Sequence, residues 1–169
     1  MTALAPPLAA FLREHLPRER RASPHTIASY RDSFRLLLRF AQQRLRKAPS
    51  DLALADVDAP LVLAFLDEQE QRRGASARTR NLRLTAIHSF FRYVAFESPA
   101  HAAQAQRVLA VSSKRFTRTL VNYLTRAEVD ALLAAPDRSS WSGRRDHALI
   151  LLAVQTGLRL SELTGLQSE

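Results

Sequence analysis

Ile27, Tyr30, Phe34, Leu37, Leu38, Ala41 and Leu45 recur three or four residues apart across a stretch free of glycine. Only an α-helix turns that spacing into a single apolar face. A long amphipathic helix cannot leave such a face in water, so other elements of the chain must cover it. The sequence supplies them with the same period. Leu84, Ile87, Phe90, Phe91 and Val94 mark a helix from Ala77 to about Ala95, after a break at Gly74-Ala75-Ser76 with Ser76 or Thr79 as its cap. Leu4, Leu8, Phe11, Leu12 and Leu16 mark a shorter helix from Ala5 to Leu16, with Pro6 and Pro7 in its first turn and Pro17 as its stop. Ser23-Pro24 starts the long helix, Ala59-Pro60 opens one with Leu61, Phe65 and Leu66 turned inward, and Ser98-Pro99 opens a last one to about Leu109. The expected fold class is all-α, with residues 1–109 forming a helical bundle.

Residues 110–123 lose the period and carry Lys114, Arg115 and Arg118, which reads as a basic interdomain linker. A second domain is expected over residues 124–169. Thr125-Arg126-Ala127-Glu128 is a capping box leading into Val129, Leu132 and Leu133, and Pro136 with residues 139–143 ends that unit. Arg144-Arg145-Asp146 then leads into the apolar run Ala148 to Val154, a helix whose composition suits burial on all sides, with Gly157 ending it in a left-handed cap. The few helices beyond about Leu120 are expected to leave that run short of packing, so that it is loosely held or associates through exposed apolar surface.

Charge narrows the partner. The chain has 25 Lys and Arg against 16 Asp and Glu, a formal net charge of +9, and only two of the cations are lysines. A basic domain dominated by the cation that matches phosphate points to nucleic acid before an anionic membrane, with arginine-rich GC coding as the bland alternative. The absence of cysteine excludes disulfides, thiolate-bound zinc and a thiol nucleophile, and the five histidines are too scattered for a metal site. No segment has the pattern of a leader or the length of a membrane span, so a soluble cytoplasmic protein without a membrane partner is expected.

Polar rows lie opposite two of the apolar faces. On the long helix they comprise His25, Ala28, Asp32, Arg35, Arg39, Gln43 and Arg46, either a solvated surface or a face for DNA. On the helix from Ala77 they comprise Arg78, Asn81, Thr85, Ser89 and Arg92, which are groove-reading residue types and equally compatible with ordinary surface. Arg80 and Arg83 fall nearer the core, where they either reach a phosphate backbone or snorkel. Asp67, Glu68 and Glu70 give the helix from Ala59 an acidic outer face that should sit away from any DNA.

The stretch Thr156-Gly157-Leu158-Arg159-Leu160-Ser161-Glu162-Leu163 places a guanidinium close to a hydrophobic run. Such a cation needs an anion, and Glu162, one turn on, can aim it while leaving donors free for a phosphate. An ordinary helix ion pair is the alternative.

This stretch resembles the segment bearing the first catalytic arginine of the tyrosine recombinases, the phage integrase family that includes the bacterial chromosome-dimer resolvases. The order from L-T-x-x-E-V through R-D-x-A-L-I-L-L to T-G-L-R is similar to the start of that family's catalytic domain. The preceding bundle is similar to its SAM-like core-binding domain, in which the second and fourth helices face DNA. The resemblance implies that a tyrosine hydroxyl attacks a DNA phosphodiester, forming a 3′-phosphotyrosyl link without metal or cofactor. It assigns Arg159 to the scissile phosphate and Glu162 to its support, and leaves the remaining catalytic groups without counterparts in this sequence. Tyr30 and Tyr93 read as core or helix-face aromatics, Tyr123 as a linker anchor, and His88 and His147 as surface or capping groups. The expected function is that of a truncated site-specific recombinase, binding double-stranded DNA without cutting it alone, and meeting other protomers in a synaptic complex when full length. A naturally shortened DNA-binding or assembly module, and a protein-interaction bundle with incidental charge, are the alternatives.

Overall fold

A computed structural model describes residues 2–117 and 122–166, which fall into two compact units, Met1–Thr117 and Arg118–Glu169. Among the described residues the structure is helical throughout, apart from one isolated antiparallel bridge between Ala3 and Ala53.

In the first unit, α1 (Ala5–Ala10) continues as a wide π-helical stretch, Phe11–Glu19, which corrects the expected stop at Pro17. A proline ring collides with the carbonyl four residues back in an α-helix, and the i→i+5 register shifts that carbonyl aside. Arg20 N–H closes the stretch on His15 O at 3.0 Å. The long helix is α2 (Pro24–Leu45), capped by Ser23 and ended by Arg46 in the left-handed region at φ 53°. Two 3₁₀ turns, Pro49–Asp51 and Leu54–Asp56, lead into α3 (Ala59–Gln71), capped by Asp58. Next come α4 (Ala77–Glu97), capped by Ser76, a 3₁₀ turn at Pro99–His101, and α5 (Ala102–Leu109).

The faces expected to be apolar are the ones buried. Phe34, Leu37 and Ala41 of α2, Phe65 and Leu66 of α3, and Leu84, Ile87, Phe90, Phe91 and Val94 of α4 share one core with Phe11. Its centre is aromatic: Phe90 meets Phe11 at 5.5 Å and Phe34 at 5.4 Å, edge to face in both cases. Polar side chains tie the periphery. The Gln104 amide donates to Leu54 O and Val57 O at 2.7 and 3.0 Å, and the His88 ring donates to Val108 O at 3.2 Å. Burial, together with the charge of Arg92 and against that bond, holds the His88 pKa below its ordinary value.

In the second unit, α6 (Arg126–Ala134) begins at the expected capping box, with Thr125 N–H donating to Glu128 at 2.7 Å. The apolar helix, α7 (Trp141–Thr156), starts earlier than the run Ala148 to Val154 because Ser140 caps it, and Gly157 ends it at φ 66°. Full burial of that run is not found: Leu149 and Val154 are 38% and 45% exposed. The helices α6 and α7 alone have too little surface to cover it. They meet where the His147 ring donates to Leu133 O at 2.8 Å and where Gly143 packs on the chain at Asp137. A Cβ on Gly143 would overlap the Asp137 carbonyl. After Gly157 comes the short α8 (Leu160–Thr164).

Two outcomes follow. Gly143→Ala should destabilise the second unit by about 1–3 kcal/mol through overpacking, read as faster amide exchange across α6 and α7 with the melting of the first unit unchanged. Lys47 donates to both Asp56 oxygens at 2.7 and 2.9 Å, and this bond, opposed by burial and aided by Ala53 N–H, holds the Asp56 carboxyl below its ordinary range. A depressed carboxylate stabilises the fold above its unfolded pKa and stops doing so as pH falls through its folded one. Asp56→Ala should therefore cost about 1 kcal/mol near neutral pH, discounted for the half-exposed lysine, and the gap in urea midpoints should close as pH falls towards 3.

Candidate functional site

Burying one face of α2 and α4 turns the other outward. On α2, His25, Arg35 and Arg39 are exposed, and Arg35 pairs with Asp32 at 2.6 Å. Arg39, Gln42, Gln43, Arg46 and Lys47 line an open hollow at the C-terminal end of the helix. On α4, Arg78, Thr85 and Arg92 are exposed and Ser89 is half-buried. Arg39, Arg78 and Arg92 have no ion-pair partner among the described residues. Thr85 donates its hydroxyl to Asn81 O at 2.9 Å, within its own helix, which leaves the oxygen's lone pairs outward. The two helices pack against each other, and the charge of Asp32 on α2 acts to raise the pKa of Arg83 on α4. Burial and the like charge of Arg73 act the other way and dominate, and the buried Nη1 of Arg83 has no partner.

Asn81 departs from the expectation for its row. Its Nδ2 donates to Lys114 O at 2.7 Å and its Oδ1 accepts from Lys114 N–H at 3.0 Å, so the amide is occupied by backbone and is not free to read a base edge. The same contact fixes the path of the first linker residues. Val111 is buried and Ser112 O lies 3.4 Å from Arg80 Nη1, so residues 111–114 are bound to the first unit. Glu70, expected on a solvated acidic face, lies between two cations: Lys114 Nζ at 2.7 Å and the buried Arg80 Nε at 3.4 Å. Lys114 is thus neutralised, while Arg115 is exposed and Arg118 lies outside the described residues. Tyr123, expected as a linker anchor, is 91% exposed and anchors nothing among the described residues.

Arg159 is not held against a core, because Gly157 ends α7 two residues earlier and leaves Arg159 extended as the residue preceding α8. Its side chain is 83% exposed. Glu162 accepts from Arg159 N–H at 2.9 Å and from its Nη1 at 3.2 Å, fixing the side chain by one nitrogen and leaving the rest of the fork open. A fork in that state can take a phosphate oxygen pair.

A second feature was not anticipated from the sequence. Phe96 is 84% exposed and borders a hollow of about 190 Å³ with His15, Arg20, Ser89, Arg92 and Tyr93. It stands four residues beyond Arg92 and seven beyond Ser89, so extending the α4 row by one turn would have found it.

A family model for the phage integrase N-terminal SAM-like domain matches residues 8–98. The protein y4rC of Sinorhizobium fredii (strain NBRC 101917 / NGR234), named as an integrase/recombinase, is 70% identical over 167 residues, covering 99% of this chain and 50% of its own. Its fellow y4rD, named likewise, is 48% identical over 165 residues, covering 98% and 59%. The tyrosine recombinase XerC of Myxococcus xanthus is 32% identical over 166 residues, covering 98% and 52%. The chain thus spans about half the length of these curated relatives. No solved structure matches it. Among the described residues no helix is long and apolar enough to cross a membrane, and no group of three or more acidic, histidine or cysteine side chains is arranged to hold a metal ion.

The Asn81 contacts carry a direct expectation. Asn81→Leu removes both bonds to Lys114, so the Lys114 amide should exchange about tenfold faster or more, as for local opening made easier by about 1.4 kcal/mol; unchanged protection at Lys114 would refute the attachment.

Proposed function

The chain belongs to the phage integrase family of tyrosine recombinases, and on that premise we propose that it works in site-specific DNA recombination by holding duplex DNA. Cations of α2 and α4 that are free of acidic partners supply the phosphate contacts, with Arg39, Arg78 and Arg92 foremost. His25 and Arg115 are also exposed and add further contacts, Arg35 joins them by exchanging Asp32 for a phosphate, and Thr85 and Ser89 offer hydroxyls to the groove. The second unit contributes Arg159, aimed by Glu162, to the scissile phosphate.

The chemistry of that step explains the need for an arginine. When a tyrosine oxygen bonds to phosphorus and the 5′ oxygen leaves with a proton, negative charge concentrates on the nonbridging oxygens, and a fixed guanidinium stabilises it without a metal or cofactor. Pairing with other protomers on DNA belongs to the same proposal. The observation that carries the reading is the open, singly anchored fork of Arg159 together with the unpaired cations of α2 and α4.

Salt dependence tests it. Replacing Arg39, Arg78 and Arg92 together by glutamine should weaken duplex binding and reduce the slope of log K against log salt by about three, one for each lost phosphate contact. Fluorescence anisotropy across a salt series reads both quantities. An unchanged slope would remove these residues from the interface.

A further inference from the structure

We propose that the hollow at the C-terminal end of α4 receives a single unpaired nucleobase, stacked on Phe96, with Arg92 and Arg20 taking its flanking phosphates. The proposal rests on the reading of α4 as a DNA-facing helix and extends it to a second kind of DNA structure.

Phe96 is the starting observation. An aromatic ring 84% exposed at the end of a polar, cationic row has no packing role among the described residues. Its neighbours narrow the occupant. The His15 and Tyr93 rings lie 4.8 Å apart in the hollow, and the volume of about 190 Å³ suits one planar heterocycle rather than a stacked pair. Ser89 contributes a hydroxyl, able to donate to or accept from a base edge. Arg20 and Arg92 are exposed and have no ion-pair partner among the described residues.

A bare anion fits less well. Glu97, Glu14 and Glu19 stand close enough to Tyr93 to raise its pKa, after burial, and Glu19 also binds the His15 ring at 2.7 Å. Carboxylates around a hollow repel a phosphate placed inside it, whereas a neutral base can enter while its phosphates remain outside with the two guanidinium groups. A base inside a duplex has both faces covered by its neighbours. Away from the duplex ends, only an unpaired or extruded base has a face to offer Phe96, and stacking of that kind tolerates any base.

The test compares the chain on two duplexes, identical except for one extra, unpaired 2-aminopurine. The chain should bind the bulged duplex about tenfold more tightly, in the range of one base–aromatic stack, and should quench the 2-aminopurine emission. Phe96→Ala and Phe96→Leu should lose both the preference and the quenching, and Phe96→Tyr should keep them. Affinity for the paired duplex should be the same in all four proteins. Because the ring is exposed, the variants should melt as the parent does, which circular dichroism verifies. Equal affinity for the two duplexes, or a preference that survives Phe96→Ala and so comes from the flexibility of the bulge, overturns this inference alone. Conversion of a self-associated chain to monomer by Phe96→Ala, without any effect on bulge preference, assigns the ring to a contact between copies and overturns it as well. Failure to bind either duplex at low salt overturns the DNA-holding reading and this inference together.

Discussion

Phe90 fixes the rotation of α4 about its own axis, and most of what the first unit shows to its surroundings follows from that. Its ring meets Phe11, Phe34 and Phe91 at 5.5, 5.4 and 5.4 Å, so α1 with its π-helical extension, α2 and α4 share one aromatic centre. Each such contact adds about 0.5–1.5 kcal/mol to the burial of the rings themselves. Shifting α4 by one residue would turn it about 100° and carry Ser89 into the place of Phe90 or Arg92 into that of Phe91. The outward direction of Arg78, Thr85, Ser89 and Arg92 is therefore a consequence of core packing. The same constraint brings Phe96 to the end of that row, where it stands 84% exposed among the described residues.

The second unit presents its arginine by different means. Among its described residues Gly143 is buried, while Trp141, Leu149, Val154 and Leu160 are between 38% and 76% exposed. Order here comes from local devices: the Thr125–Glu128 box, the Ser140 cap, the contact of His147 with Leu133 O, and the left-handed Gly157. Gly157 matters for Arg159 in particular. By ending α7 it frees the next residues from the helix, and Glu162 can then reach both the backbone and the side chain of Arg159 from the first turn of α8.

Helix periodicity in the sequence was a good guide wherever a helix had one face to bury. The starts of α2, α4 and α6 at Ser23, Ser76 and Thr125 follow from cap chemistry, and the inward set of α4 is the one expected. What escaped were interactions between residues distant in sequence. Asn81 has the right type and position for groove reading, and only the fold shows its amide held by a backbone 33 residues away. Pro17 read as a stop because an α-helix cannot contain it comfortably, yet the chain passes it in a wider helix. The apolar run in α7 shows the same division: its composition favours burial on all sides, and its expected shortage of packing partners agrees with the exposure of Leu149 and Val154.

Acidic residues decide which cations remain available to a polyanion. Glu70 lies between Lys114 and the buried Arg80, Asp56 holds Lys47, and Asp32 holds Arg35, each at 3.4 Å or less. Both lysines of the chain are among these paired groups. A net charge of +9 consequently overstates the uniformity of the surface, because part of the basic character is neutralised where it fastens loops to helices. Arg39, Arg78 and Arg92 stand outside that network, on two helices whose opposite faces pack in the core. Long-range attraction to a duplex depends on the whole charge and weakens with salt, but orientation depends on the few guanidinium groups that have no closer anion. The acidic end of α3 thus withdraws Lys114 from the set of free cations and holds the start of the linker against the bundle, and under the proposed function that selects which guanidinium groups orient a duplex.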